Sequence, residues 1–123
     1  MKLNIKSVSK VSTLFSVEID KEDAKVIFNG SYKKDGQNVI VEGRLAGSVQ
    51  VVCDVSCQPF FEQMDEELSV KFVEGEFKGF DPKYDVIETD GEIDLDRFML
   101  EEIESFRLDY HVAPGIQFSE ANL

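Results

Sequence analysis

The sequence predicts an α+β domain: a mainly antiparallel sheet, built as a meander and open to barrel-like closure, with one C-terminal amphipathic helix packed on it. Three observations carry this expectation. Apolar and polar residues alternate in short runs between residues 14 and 73, the period of a half-buried strand. Glycine-containing turn signals punctuate those runs. One stretch, 95–106, instead spaces its apolar residues by three and four, the period of a helix.

Taken in order, residues 2–6 (KLNIK) place Leu3 and Ile5 on one face and predict a short first strand. Residues 7–13 are polar and read as a connection. Phe15, Val17 and Ile19 alternate and predict a strand over 14–19, with a turn at 20–23. Residues 25–33 form the next strand, and Asp35-Gly36 supplies the two central residues of a type I′ hairpin turn. The chain returns over 38–45, where Gly43 marks a bulge or a close backbone approach. Ala46-Gly47 reads as a second turn. The strand 48–54 follows, with Val49, Val51 and Cys53 on one face, so 25–54 is expected to be a three-strand meander.

Pro59, which lacks an N–H, is expected to stop the strand. Leu68, Val70 and Phe72 alternate within a further strand over 60–73. Residues 74–85 hold two glycines and a proline and predict a long loop, and Val86-Ile87 a short edge strand before the Asp90-Gly91 turn. The helix 95–106 has Asp94 as its N-cap, a residue whose carboxylate also suits the positive helix end. Leu95, Phe98, Met99, Ile103 and Phe106 form one apolar stripe. Burying each is worth about 1.5–3 kcal/mol before entropy costs, so the helix is expected to lie across the sheet. Residues 107–112 read as a short extended segment and 113–123 as a loose tail, leaving a core of 14–112 in a single domain spanning 1–123.

The chain's 123 residues suit one domain. Ten phenylalanines and no tryptophan make Phe the main source of large apolar volume. No apolar run approaches the roughly eighteen residues of a membrane span. The opening MKLNIKSVSKVSTLF lacks the continuous apolar segment of a signal peptide. A cytoplasmic protein with two reduced cysteines is the expectation. Net charge is −12, and its distribution is uneven: residues 1–60 carry +1 and residues 61–123 carry −13. Such a field repels phosphate backbones and speeds the approach of a basic partner.

Candidate chemistry is sparse. Cys53 and Cys57, with the single His111, are too few for a four-ligand zinc site, and no metal or cofactor is expected. No Lys or Arg flanks either cysteine to activate a thiol. Cys53 reads as a small buried strand residue, Cys57 as a turn residue and His111 as a surface or packing residue. The run DGEIDLD over 90–96 is similar to a calcium loop, but its glycine comes second and no helix precedes it. Lys33, Lys34 and Tyr32 on the hairpin offer an RNA contact by charge and stacking, opposed by the overall charge.

One motif is more specific. Residues 43–60, GRLAGSVQVVCDVSCQPF, resemble the signature of the large ribosomal RNA subunit accumulation protein family, the YceD-like proteins: a glycine, an alternating apolar strand, then C-D-R-C-L-x-P-F. Gly43, Cys53, Asp54, Pro59 and Phe60 match it. Val55 stands at the Arg, Ser56 at the second cysteine and Cys57 at the Leu. Ile93, Asp94 and Leu95, then Glu101-Glu102, Leu108 and Pro114, are similar to the family's I-D-L segment, helix and L-x-L-P ending. Many members close with a cysteine cluster that this chain lacks. The resemblance covers roughly 25–114. It implies a non-enzymatic accessory factor for accumulation of large-subunit ribosomal RNA. The family's gene often neighbours that of a small basic ribosomal protein, which implies a basic ribosomal protein or large-subunit precursor as partner. The acidic rim of Asp90, Asp96, Glu101 and Glu104 is the expected contact surface. Direct nucleic-acid contact and membrane association are not expected.

Overall fold

A computed structural model describes residues 1–115. The chain runs β1 (Lys2–Asn4), a 3₁₀ turn (Ile5–Ser7), β2 (Thr13–Lys21), β3 (Ala24–Asp35), β4 (Asn38–Val52), β5 (Pro59–Glu74), β6 (Asp85–Thr89), β7 (Glu92–Asp94) and α1 (Leu95–Leu108). Strands β2 to β6 form one five-stranded sheet in sequence order. Its first four strands are antiparallel, and β6 lies parallel to β5 at the far edge. β1 and β7 pair separately. The protein is thus α+β and mainly antiparallel. The sheet keeps two free edges, β2 and β6, so it does not close into a barrel.

The sheet's inner face is written in the period-two pattern. Val26, Phe28, Val39, Val41, Leu45, Val49, Met64, Val70 and Phe72 are all buried. Helix α1 covers them with Leu95, Phe98, Met99 and Ile103, the expected stripe, while Phe106 packs at the margin. The Phe98 ring sits 5.9 Å from both Phe28 and Phe72. Asp94 caps the helix: its carboxylate accepts the Arg97 N–H at 3.1 Å. The core also reaches back to Ile5, 1% exposed.

Several local expectations need correction. The strand expected over 2–6 ends at Asn4, whose side chain accepts the Lys6 N–H and starts the 3₁₀ turn that points Ile5 inward. The hairpin turn lies one residue later than Asp35-Gly36. Asp35 pairs with Asn38, and Gly36-Gln37 fill the centre with φ +62 at Gly36 alone, the II′ pattern.

Ala46-Gly47 is not a turn. β4 runs straight through it, and β3 and β4 make one long hairpin rather than a three-strand meander. Gly47 is there for close approach: a Cβ at this position would lie 2.0 Å from the Lys25 carbonyl oxygen. Gly43 does the same opposite Gly30, where a Cβ would lie 2.4 Å from the Asn29 oxygen. Pro59 is the first residue of β5, one position before the expected start at 60, because the first residue of a strand can do without an N–H. The helix extends to Leu108, and residues 109–115 form no strand. Of the segment expected to be a loose tail, residues 116–123 lie outside the described residues.

The outer face of the sheet carries a smaller apolar cluster. Ile40 and Val73 are buried there, on the face away from α1, at the end where the 75–84 loop attaches. Lys71 on the same face reaches Asp81 of the loop at 2.6 Å, with both side chains mostly buried.

Candidate functional site

Cys53, Asp54, Pro59 and Phe60 converge on one end of the sheet, whereas Gly43 lies mid-strand opposite Gly30 and Asp94 and Leu95 begin α1. Beyond β4, the Cys53 N–H donates to the Gln58 carbonyl at 2.9 Å and the Cys57 N–H to the Cys53 carbonyl at 2.8 Å. Cys57 takes φ +61 to close this turn, a conformation that costs a non-glycine residue energy. Cys57 is exposed, whereas Cys53 is 0% exposed, and both are free thiols. The N–H groups of Ala113 and Ser56 each point at Cys53 Sγ from 3.4 Å. These donors, Ala113 first and then the Ser56 hydroxyl and N–H, lower the thiol pKa from 9.0 to about 7 against the opposing effect of burial.

The segment after the helix is fastened to this turn. Asp54 N–H donates to the His111 carbonyl at 2.8 Å, and Asp54 Oδ2 accepts the His111 N–H at 2.7 Å. His111 is buried, and its ring lies 4.9 Å from Phe106. Its Nε2 faces the Phe106 carbonyl at 2.6 Å and its Nδ1 faces Glu62. Both ring nitrogens are therefore engaged by oxygen atoms, which fixes the ring between β5 and the end of α1. Neither nitrogen is directed at a cysteine in these bonds. Cys53, Asp54, Pro59 and Phe60 thus build a junction between the sheet and the end of α1. Phe60 packs partly buried against the core.

Sequence reasoning missed three partners in this architecture. Glu62 occupies an inward-facing register position of β5 and meets His111 there; a carboxylate in a core register was the available signal. Arg107 is mostly buried and donates to the Gln50 and Asp23 carbonyls at 3.2 and 3.4 Å, pairs with the Asp23 carboxylate at 3.0 Å, and contacts Glu104. It pins the helix end to the β2–β3 turn. The Lys71–Asp81 bridge is the third.

The four acidic residues expected to form one rim divide. Asp90 and Glu101 line a cleft of about 370 Å³ between β6, β7 and α1, together with Glu88, Glu92, Asp94 and Arg97. Phe72, Phe98 and Ile87 contribute apolar wall. Asp96 lies outside that lining and pairs with the Met1 amino group at 3.1 Å. Glu104 sits on the exposed face of α1. Within the cleft, Asp90 also accepts the Glu92 N–H at 3.3 Å, which makes the 90–92 segment a tight turn. Among the described residues, no three His, Cys, Asp or Glu side chains are grouped to hold a metal ion.

The basic hairpin is partly committed elsewhere. Lys34 turns inward, its Nζ donating to the Ile5 carbonyl. Tyr32 packs against Phe15 with ring centroids 6.0 Å apart. Lys33 alone of the three is exposed. No helix among the described residues is long and apolar enough to cross a membrane. No family model, curated protein or solved structure matches this chain.

Proposed function

We propose that this chain is a cytoplasmic accessory factor for accumulation of large-subunit ribosomal RNA, working by binding a basic ribosomal protein or a precursor particle rather than by catalysis. The observation that carries the reading is the acidic cleft: five acidic residues and one arginine line it beside a partly apolar wall, with Glu101 paired to Arg97 and Glu92 to Lys2. A lysine or arginine side chain has the matching chemistry, an apolar stem with a cationic head. The surplus carboxylates would also steer a basic partner from solution.

The motif resemblance over 43–60 supplies the ribosomal part of the reading. Of the motif residues Asp94 lines the cleft, which supplies the contact, whereas Cys53, Asp54, Pro59 and Phe60 lie toward the other end of α1. Affinity capture from cells tests it. The tagged chain is expected to retain a basic ribosomal protein or large-subunit precursor, and to release it as salt rises. Retention of neither counts against it.

A further inference from the structure

The outer face of α1 carries a second feature beside the cleft. Leu100, Glu104 and Leu108 form one row along the helix at intervals of four, and Arg97, Glu101 and Ser105 form the row next to it. Leu108 is 86% exposed and Leu100 36%. Together these residues border a shallow groove of about 480 Å³. Arg97 and Glu101 line both the groove and the acidic cleft, so the two surfaces are continuous.

Two rows at spacing four with a groove between them are the surface into which another helix packs its own ridges. The two leucines lie eight residues apart, roughly 12 Å along the axis, matching apolar residues two turns apart on a facing helix. The acidic cleft at one flank selects the charge of that helix. A second copy of this chain is a poor occupant, because it carries the same net charge of −12 and would bring a second acidic cleft to this face rather than the cations that suit it.

We infer that the Leu100–Leu108 face of α1 docks a basic amphipathic helix of a partner protein, with its apolar stripe on the two leucines and its Lys or Arg side chains in the cleft. This rests on the proposed function and specifies the form of the partner. Leu108 is largely and Leu100 partly exposed, and neither belongs to the core cluster, so replacing them leaves that cluster intact.

The probe is a fluorescent synthetic helix of roughly 18 residues, past the length at which short helices are marginal, made of Leu, Lys and Ala with one leucine stripe. A scrambled peptide of equal composition is the control. The wild-type chain should bind the striped peptide about tenfold more tightly than the scrambled one. A Leu100→Ser/Leu108→Ser variant with an unchanged circular-dichroism melt should lose that preference and keep the weaker, salt-sensitive binding.

Equal binding of both peptides by the wild type overturns the helix docking and leaves the acidic-surface reading standing. Binding of neither peptide also overturns it, and affinity capture then decides the broader reading separately. A wild-type dimer in sedimentation that the double variant converts to monomer assigns the face to a second copy and overturns the proposal.

Discussion

Asp54 and His111 hold each other through two reciprocal hydrogen bonds, 2.7 and 2.8 Å long, across 57 residues of sequence. One uses the Asp54 carboxylate and the other its N–H. The pair joins the turn after β4 to the segment after α1. The helix is thus tied at its start by the Asp94 cap and beyond its end by this clasp.

Replacing Asp54 by Ala removes the carboxylate acceptor and leaves the His111 N–H unpaired. A loss of about 1–2 kcal/mol is expected in denaturant unfolding. Asp54→Asn keeps an acceptor and should lose less. Equal stability of Asp54→Ala and wild type would show that the clasp contributes nothing.

Thiol labelling separates the two cysteines. Cys57 should react with iodoacetamide in the folded protein, and Cys53 only on unfolding, since it is 0% exposed. The Cys53 thiol is held at about 7 when folded, against 9.0 as its ordinary value. Between those values the unfolded chain binds more protons, so stability should rise with pH across this window. The contribution is fully present above the unfolded value and is lost as pH falls through about 7. Cys53→Ala should flatten that slope in unfolding curves taken from pH 6.5 to pH 9.5. Rapid Cys53 labelling in the native state contradicts the burial.

Glu102 on α1 has its pKa raised, first by partial burial and then by the negative charges of Glu66, Asp85 and Glu101. A raised carboxyl pKa makes the folded state bind more protons, so this group costs stability at neutral pH and the cost disappears in acid. Glu102→Gln should therefore raise the melting temperature at pH 7, by a modest amount because the group is only partly buried and its charge is screened by solvent. The gain should vanish near pH 4. A drop in melting temperature at pH 7 would contradict the charge assignment.

Asp81 secures the 75–84 loop. The Lys71 ammonium and then the Lys83 N–H, with a smaller part from Tyr84, lower its pKa to about 2. Its stabilising effect is present above the usual carboxylate range and is lost as pH falls through the folded value. Asp81→Asn should speed proteolytic nicking between 75 and 84 at pH 7 while leaving core amide exchange unchanged. Unchanged nicking would show that the bridge does not hold the loop.

The reach of the sequence follows the range of each interaction. Helix α1 was readable because its stripe and cap are local, repeated signals. Inner-face positions such as Val49 and Val51 were readable for the same reason, whereas Cys53, expected as a strand residue, lies buried in the turn just past β4. Gly47 was misread because turn glycines and close-approach glycines look alike until the partner strand is known. Glu62, His111 and Arg107 find partners up to 84 residues away, beyond any local pattern. The acidic half announced the charge of the cleft. Which carboxylates share it depends on how β6, β7 and α1 meet.

The most direct measurement of the binding account is affinity capture with a Glu88→Lys/Asp90→Lys/Glu101→Lys chain beside the wild type, at about 0.1 M and about 1 M salt. Screening shrinks from about 10 Å to about 3 Å across that range. The account predicts that wild type retains a basic ribosomal protein or precursor particle at low salt and releases it at high salt, and that the folded triple variant retains neither. Equal retention by the variant at low salt would contradict a role for the acidic cleft.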